Sequence, residues 1–228
     1  MLKRALIALA LAGCAAPAAA ESVLVGGGSL SGQTRVGYAG VVMPLPGRAL
    51  SDGWSQSLFV TGVRYEYPLG GQEIEGIASG LKYGLMRQLK VEGGSIGIGG
   101  GVAFHHTALS PDDPGNRNRG GHLRPLVELQ WQSDAQRAWR SQVFSQYVFG
   151  ERSSFVTGFV GRRMASGATI GPQLSTSGDP NYRVYGAALA VNAIRLGAAE
   201  GGFYLGAQHL EGGRTQPEIG FSLVLYRP

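Results

Sequence analysis

GSIGIGGGVAFHHTALSPDDPGNRNRGGHLRPLVELQWQ, residues 94–132, decides how this chain is read. Ile96, Ile98, Val102, Phe104 and His106 alternate with glycines and small residues. A turn-rich segment runs from Ser110 to Gly121. Then Leu123, Pro125, Val127, Leu129 and Trp131 alternate with Arg124, Glu128, Gln130 and Gln132. Period-2 alternation sends successive side chains to opposite faces of an extended strand. Two such segments of membrane-strand length around one polar loop form the local pattern of a transmembrane β-hairpin.

The same grammar extends in both directions. Upstream, strands are expected at Val23 to Leu30, Gln33 to Met43, Trp54 to Tyr67 and Gln72 to Met86. Downstream, they are expected at Trp139 to Phe149, Ser153 to Met164, Thr169 to Thr176, Tyr182 to Leu196, Gly202 to Leu210 and Gln216 to Tyr226. Turn clusters such as Pro68-Leu69-Gly70-Gly71 and Glu211-Gly212-Gly213-Arg214 separate them. No stretch shows a helical period. The expected fold is therefore all-β: an up-and-down antiparallel transmembrane barrel of about twelve strands, an even number as bacterial barrels require.

Composition agrees with a two-faced β-protein. Of 228 residues, 38 are glycine, 15% are charged and 43% are hydrophobic. A helical membrane protein would be far more apolar, whereas one apolar and one polar strand face give this average. Residues 1–20 read as a secretory leader: Lys3 and Arg4, then an apolar run from Ala5 to Ala12, then Ala18-Ala19-Ala20 as a cleavage site before Glu21. The expected division is 1–20 signal peptide and 21–228 barrel. Cys14, the only cysteine, is either removed with the leader or lipidated in a lipobox-like setting. Without Lys3 and Arg4, eighteen basic residues face fifteen acidic ones. A net charge near +3 is too mild to argue for nucleic acid.

With the N-terminus in the periplasm, Trp131 and Trp139 flank a short inner turn as girdle residues. Tyr65, Tyr67, Phe149 and Phe155 fall near the opposite rim, and the Ser110 to Gly121 loop lies outside. The last strand places Ile219, Phe221, Leu223 and Leu225 on one face, with Tyr226 out of phase.

Four segments carry a resemblance: GYAGVVMPLPGRALSDGW (37–54), VRYEY (63–67), HHTALSPDDPGNRNRG (105–120) and GPQLSTSGDPNYRVYGAALAVNAIRLG (171–197). In these words and their order the chain resembles the BcsS family of bacterial cellulose biosynthesis proteins. Leu109 to Pro114, LSPDDP, is the most specific mark. The resemblance implies an outer-membrane barrel associated with cellulose production or export, and it brings no catalytic residues. Pro46 and Gln173 stand where the family often has asparagine and glutamate.

Several candidate sites follow. Ser110, Asp112, Asp113, Asn116, Arg117 and Arg119 form an expected extracellular contact surface for an ion or a polysaccharide. Their oxygen spacing does not match a calcium loop, and proline, aspartate and asparagine equally serve turn formation. Arg117, Arg119 and Arg152 at the rim suit lipopolysaccharide phosphates. Arg64, Glu66, Lys82, Arg124, Glu128, Arg140, Gln142 and Gln146 share the parity expected to face the lumen, where charges can pair away from lipid. By that parity the lumen holds few aromatics, Phe144 and Trp54. His105, His106 and Ser110 raise the possibility of a rim hydrolase, but adjacent histidines on one strand point to opposite faces. No metal or cofactor pattern is present. The expected function is a non-enzymatic accessory of cellulose biosynthesis in the outer membrane, in export or surface organisation of the glucan. Expected partners are outer-membrane lipid and lipopolysaccharide, cellulose and subunits of the cellulose synthase complex. A rim hydrolase acting on lipid or glycan and a generic porin-like channel are the alternatives.

Overall fold

The computed structural model describes residues 22–50, 52–180, 182–211 and 213–227. The expected leader, with Cys14, lies outside the described residues. Twelve strands follow one another: β1 (Ser22–Ser31), β2 (Thr34–Pro44), β3 (Gly53–Leu69), β4 (Gln72–Val91), β5 (Gly94–Ser110), β6 (Gly120–Ser133), β7 (Trp139–Val148), β8 (Ser153–Arg163), β9 (Thr169–Asp179), β10 (Tyr182–Leu196), β11 (Ala199–Leu210) and β12 (Thr215–Arg227). Each pairs antiparallel with the next, and β12 returns to β1 through pairs such as Leu24 with Leu225. Closure leaves no unpaired edge, the condition for a sheet to stand in lipid. Among the described residues no helix is long and apolar enough to cross a membrane.

The register assigns the faces. Leu81, Tyr83, Leu85, Ile98, Val102, Leu129, Leu174, Leu189, Leu205 and Phe221 are exposed on the outer wall. Their neighbours Lys82, Ala103, Leu126 and Glu128 point inward and are largely covered. An apolar band outside and a polar interior are what lipid demands. Trp54 and Trp139 stand exposed on the outer face at the end where β1 begins and β12 ends. Trp131 lies at that end too and donates from Nε1 to Ser141 Oγ at 2.9 Å. Tyr226 falls in the inward register beside Val23 and donates to Glu200 Oε2 at 3.4 Å, which explains its departure from the outer set of β12.

Two expectations need correction. On β3 the polar and aromatic faces are exchanged. Phe59 pairs with Lys82, which points inward, so Tyr65 and Tyr67 line the lumen while Arg64 and Glu66 face out. The aromatics turn inward because glycines on the neighbouring strands leave room for their rings. Arg64 and Glu66 lie level with the β1–β2 turn, where Glu66 N donates to Gln33 O. At that level they pair with each other and with Glu75: Arg64 reaches Glu75 at 3.1 Å and Glu66 at 3.8 Å. Second, of the expected rim aromatics only Phe149 is outside; Phe155 faces the lumen with Tyr65 and Tyr67, and Trp54 faces out. The long connection at the loop end is residues 111–119. The other turns at that end have two to four residues, and the opposite end carries residues 45–52.

Candidate site in the barrel lumen

Aromatic rings lie flat along the inner wall because glycines sit beneath them. A Cβ at Gly27 would lie 2.8 Å from Tyr38 Cζ, inside van der Waals contact. Phe59 covers Gly40, Tyr65 covers Gly76 and Tyr204 covers Gly220 in the same way. A glycine in a strand leaves its wall open to a cross-strand ring, which shields the backbone in return. Phe144, Phe155, Phe159, Tyr67 and Tyr182 add further inward rings. The lumen is therefore rich in aromatics. The sequence reading missed this because it assigned the rings of β3 to lipid. The glycine opposite Tyr38, Phe59, Tyr65 and Tyr204 was the legible signal.

Across the middle of the lumen, Lys82 Nζ stands 2.5 Å from Glu128 Oε1 and 3.4 Å from Gln146 Oε1. The Lys82 ammonium also lies 4.6 Å from the Phe59 ring centre and 5.7 Å from that of Phe144. Side-chain exposure is 17% for Lys82 and 5% for Glu128. Two charges so far from water persist only as a pair with further polar contacts. Of the eight residues expected in the lumen, this triad is brought together. Arg124, Arg140 and Gln142 also point inward, at other levels, and Arg64 and Glu66 do not.

Nearer the loop end, His105 Nδ1 lies 3.1 Å from both carboxylate oxygens of Glu151. Ser153 Oγ donates to Glu151 Oε2 at 3.4 Å, and Arg124 Nη2 lies 3.2 Å from His122 Nδ1. Burial alone would raise the Glu151 carboxyl. The hydrogen bonds of His105 and Ser153 and the charges of His105 and Arg124 outweigh it and hold the group below its ordinary 4.5. A carboxylate with a depressed native pKa contributes stability that is complete above the unfolded value and is lost as pH falls through the native one. The urea midpoint of the natural protein is therefore expected to drop relative to that of Glu151→Gln as pH is lowered from 4.5. A difference independent of pH would contradict this.

His106 points outward and Ser110 is exposed at the strand end. Among the described residues no serine hydroxyl hydrogen-bonds a histidine ring, so the nucleophile–base pair of a rim hydrolase is not assembled. Among them, too, no group of three or more His, Cys, Asp or Glu side chains could hold a metal.

Residues 111–119 form a strap across the mouth. Tyr67 OH on β3 donates to Asp113 Oδ2 at 2.7 Å and accepts from Asn116 Nδ2 at 3.3 Å. Asn118 Nδ2 donates to Asp179 Oδ2 on β9 at 2.6 Å. In a ring of twelve, β3 and β9 stand six strands apart either way, on opposite walls. The strap's own chemistry holds its shape: Gly115 N donates to Asp113 Oδ1 and Asn118 N to Asn116 Oδ1, both at 3.0 Å. Arg119 Nη1 pairs with Asp112 Oδ2 at 2.6 Å. Of the six residues expected as a contact surface, Asp112, Asp113, Asn116 and Arg119 are thus engaged within the protein, while Ser110 and Arg117 stay exposed. Arg152, at φ 54°, sits apart from them in a rim notch with Ser154, Asp179 and Arg183.

Comparison with solved structures finds barrels of the outer-membrane type. The KdgM porin matches with a TM-score of 0.53 at 10% identity, over 89% of this chain and 98% of that one. The translocator domain of the autotransporter NalP from Neisseria meningitidis matches with a TM-score of 0.51 at 9% identity, over 100% of this chain and 95% of that one. At such identity the likeness is one of fold. No curated protein matches the chain. The family model described as cellulose biosynthesis protein BcsS matches residues 23–225, nearly everything the barrel contains, and the chain belongs to that family.

Proposed function

We propose that this chain is a non-enzymatic accessory of cellulose biosynthesis in the outer membrane, acting in export or surface organisation of the glucan. The observation that carries the reading is the inner wall. Tyr38, Phe59, Tyr65 and Tyr204 lie flat on glycines and turn ring faces to the lumen. A pyranose ring presents an apolar C–H face with hydroxyls at its edge. Flat aromatic faces with nearby hydrogen-bonding groups suit such a polymer. The end where β1 begins and β12 ends faces the periplasm in this reading, where synthase subunits are the partners. The strap faces outside, where exposed Arg117 and the Arg152 notch meet lipopolysaccharide.

The test is genetic. Cells lacking the gene are fractionated and their cellulose is located. Polymer held in the periplasm, or released without attachment to the surface, is the expected result. Normal cellulose in its normal place outside would sink the reading.

A further inference from the structure

The inward faces of β6 to β9 line a half-open cavity of about 180 Å³ in the half of the lumen nearer the start of β1. Gln130, Gln132, Gln142 and Gln173 contribute four amides, and Phe144 and Phe159 contribute two rings. No charged side chain lines it among the described residues. Gln88 on β4 continues the amide set: its Nε2 donates to Gln130 Oε1 at 3.3 Å. The Oε1 of Gln88 is buried with no hydrogen-bond partner. An orphaned buried acceptor beside a cavity is an unmet demand for a donor.

We infer that this cavity is a binding subsite for one glucosyl unit of a neutral β-linked glucan, an inference that rests on the function proposed above. Each primary amide offers two donors and an acceptor, and a sugar hydroxyl is both at once. The two phenylalanines supply apolar surface for the C–H face of the ring. The volume falls below the roughly 300 Å³ at which pockets for drug-sized ligands begin, so it suits one ring of a longer chain. Neutrality sets the selectivity. A uronate carboxylate entering here would lose water and find amides but no cation in the lining, with Arg140 and Lys82 standing only at its borders, which is unfavourable. The charged Lys82–Glu128 pair lies outside the lining, and so do the histidines near the strap.

The test uses the full chain, purified in detergent, and isothermal titration with cellohexaose and with an oligogalacturonate of equal length. Cellohexaose is expected to bind and the uronate not to bind. Gln142→Ala and Gln173→Ala are each expected to weaken cellohexaose binding about tenfold, or about 1.4 kcal/mol. Both positions face the lumen from different strands. Heat-modifiable gel migration verifies that each variant is folded. Absence of cellohexaose binding overturns the inference, as does unchanged binding in both folded variants or equal binding of the uronate. The outcome separates from that of the cellular test. Mislocalised cellulose in the deletion strain with no cellohexaose binding removes the subsite and keeps the export reading. Glutamine-dependent binding with normal cellulose in the deletion strain keeps the subsite and removes the export reading.

Discussion

Glu128→Ala will destabilise the barrel by about 3 kcal/mol, the lower end of the range for breaking a buried ion pair. The substitution leaves the Lys82 ammonium with 17% of its side chain exposed and its 2.5 Å partner gone. What remains is Gln146 Oε1 at 3.4 Å and the faces of Phe59 and Phe144. A neutral acceptor and two rings replace only part of a carboxylate, which sets the loss at the lower end. The double variant Lys82→Met with Glu128→Leu removes both charges and fills the same space. Its stability is expected to lie near that of the natural protein, because the desolvation penalty disappears with the pair. Urea unfolding from lipid vesicles reads both values. Equal destabilisation of the single and double variants would show that packing, and not the uncompensated charge, controls this level of the lumen.

Asp113→Ala combined with Asn118→Ala will free the strap and raise the ion conductance of single barrels in planar bilayers severalfold. The two side chains tie the strap to opposite walls, at Tyr67 on β3 and Asp179 on β9, and the one contact left, Asn116 Nδ2 to Tyr67 OH at 3.3 Å, is the weaker bond of two neutral groups. Both ties place a neutral donor on a carboxylate. Hydrogen bonds to charged groups contribute about 1.5–3 kcal/mol each. Losing both shifts the closed–open balance by about 3 kcal/mol, roughly a hundredfold in population. Stability should change little, since the strap contributes no strand to the wall. Conductance equal to that of the natural protein would mean that the strap does not limit passage, and the Lys82 level would become the barrier to examine.

The hairpin at residues 94–132 shows how far the sequence could be read. Its alternation marked β5 and β6, and the LSPDDP turn marked the loop between them. The inward parity of Lys82, Arg124, Glu128, Arg140, Gln142 and Gln146 was legible for the same reason, because the larger residues beside them, such as Leu81, Tyr83, Val127, Leu129, Trp139 and Val143, are apolar. On β3 the alternation has two solutions. Phe59, Tyr65 and Tyr67 alternate with Gln56, Arg64 and Glu66, and an aromatic–polar alternation is satisfied either way round. The loop residues, too, looked free for an outside partner, whereas Asp113 and Asn118 are spent on the far walls.

By itself the sequence determined the number of strands, the set of residues sharing each face and the family. Side-chain period is a local property, set by backbone geometry over a few residues. Which face of β3 turned inward depended on Gly40 and Gly76 of the adjacent strands, which make room for its rings. The Lys82–Glu128 pair joins residues 46 positions apart, and the Asn118–Asp179 tie joins residues 61 apart. The pairing and inward curvature of the sheet bring such groups together. The contents of the lumen and the crossing of its mouth were therefore decided by the tertiary structure, because non-local distances are not encoded in a period of two.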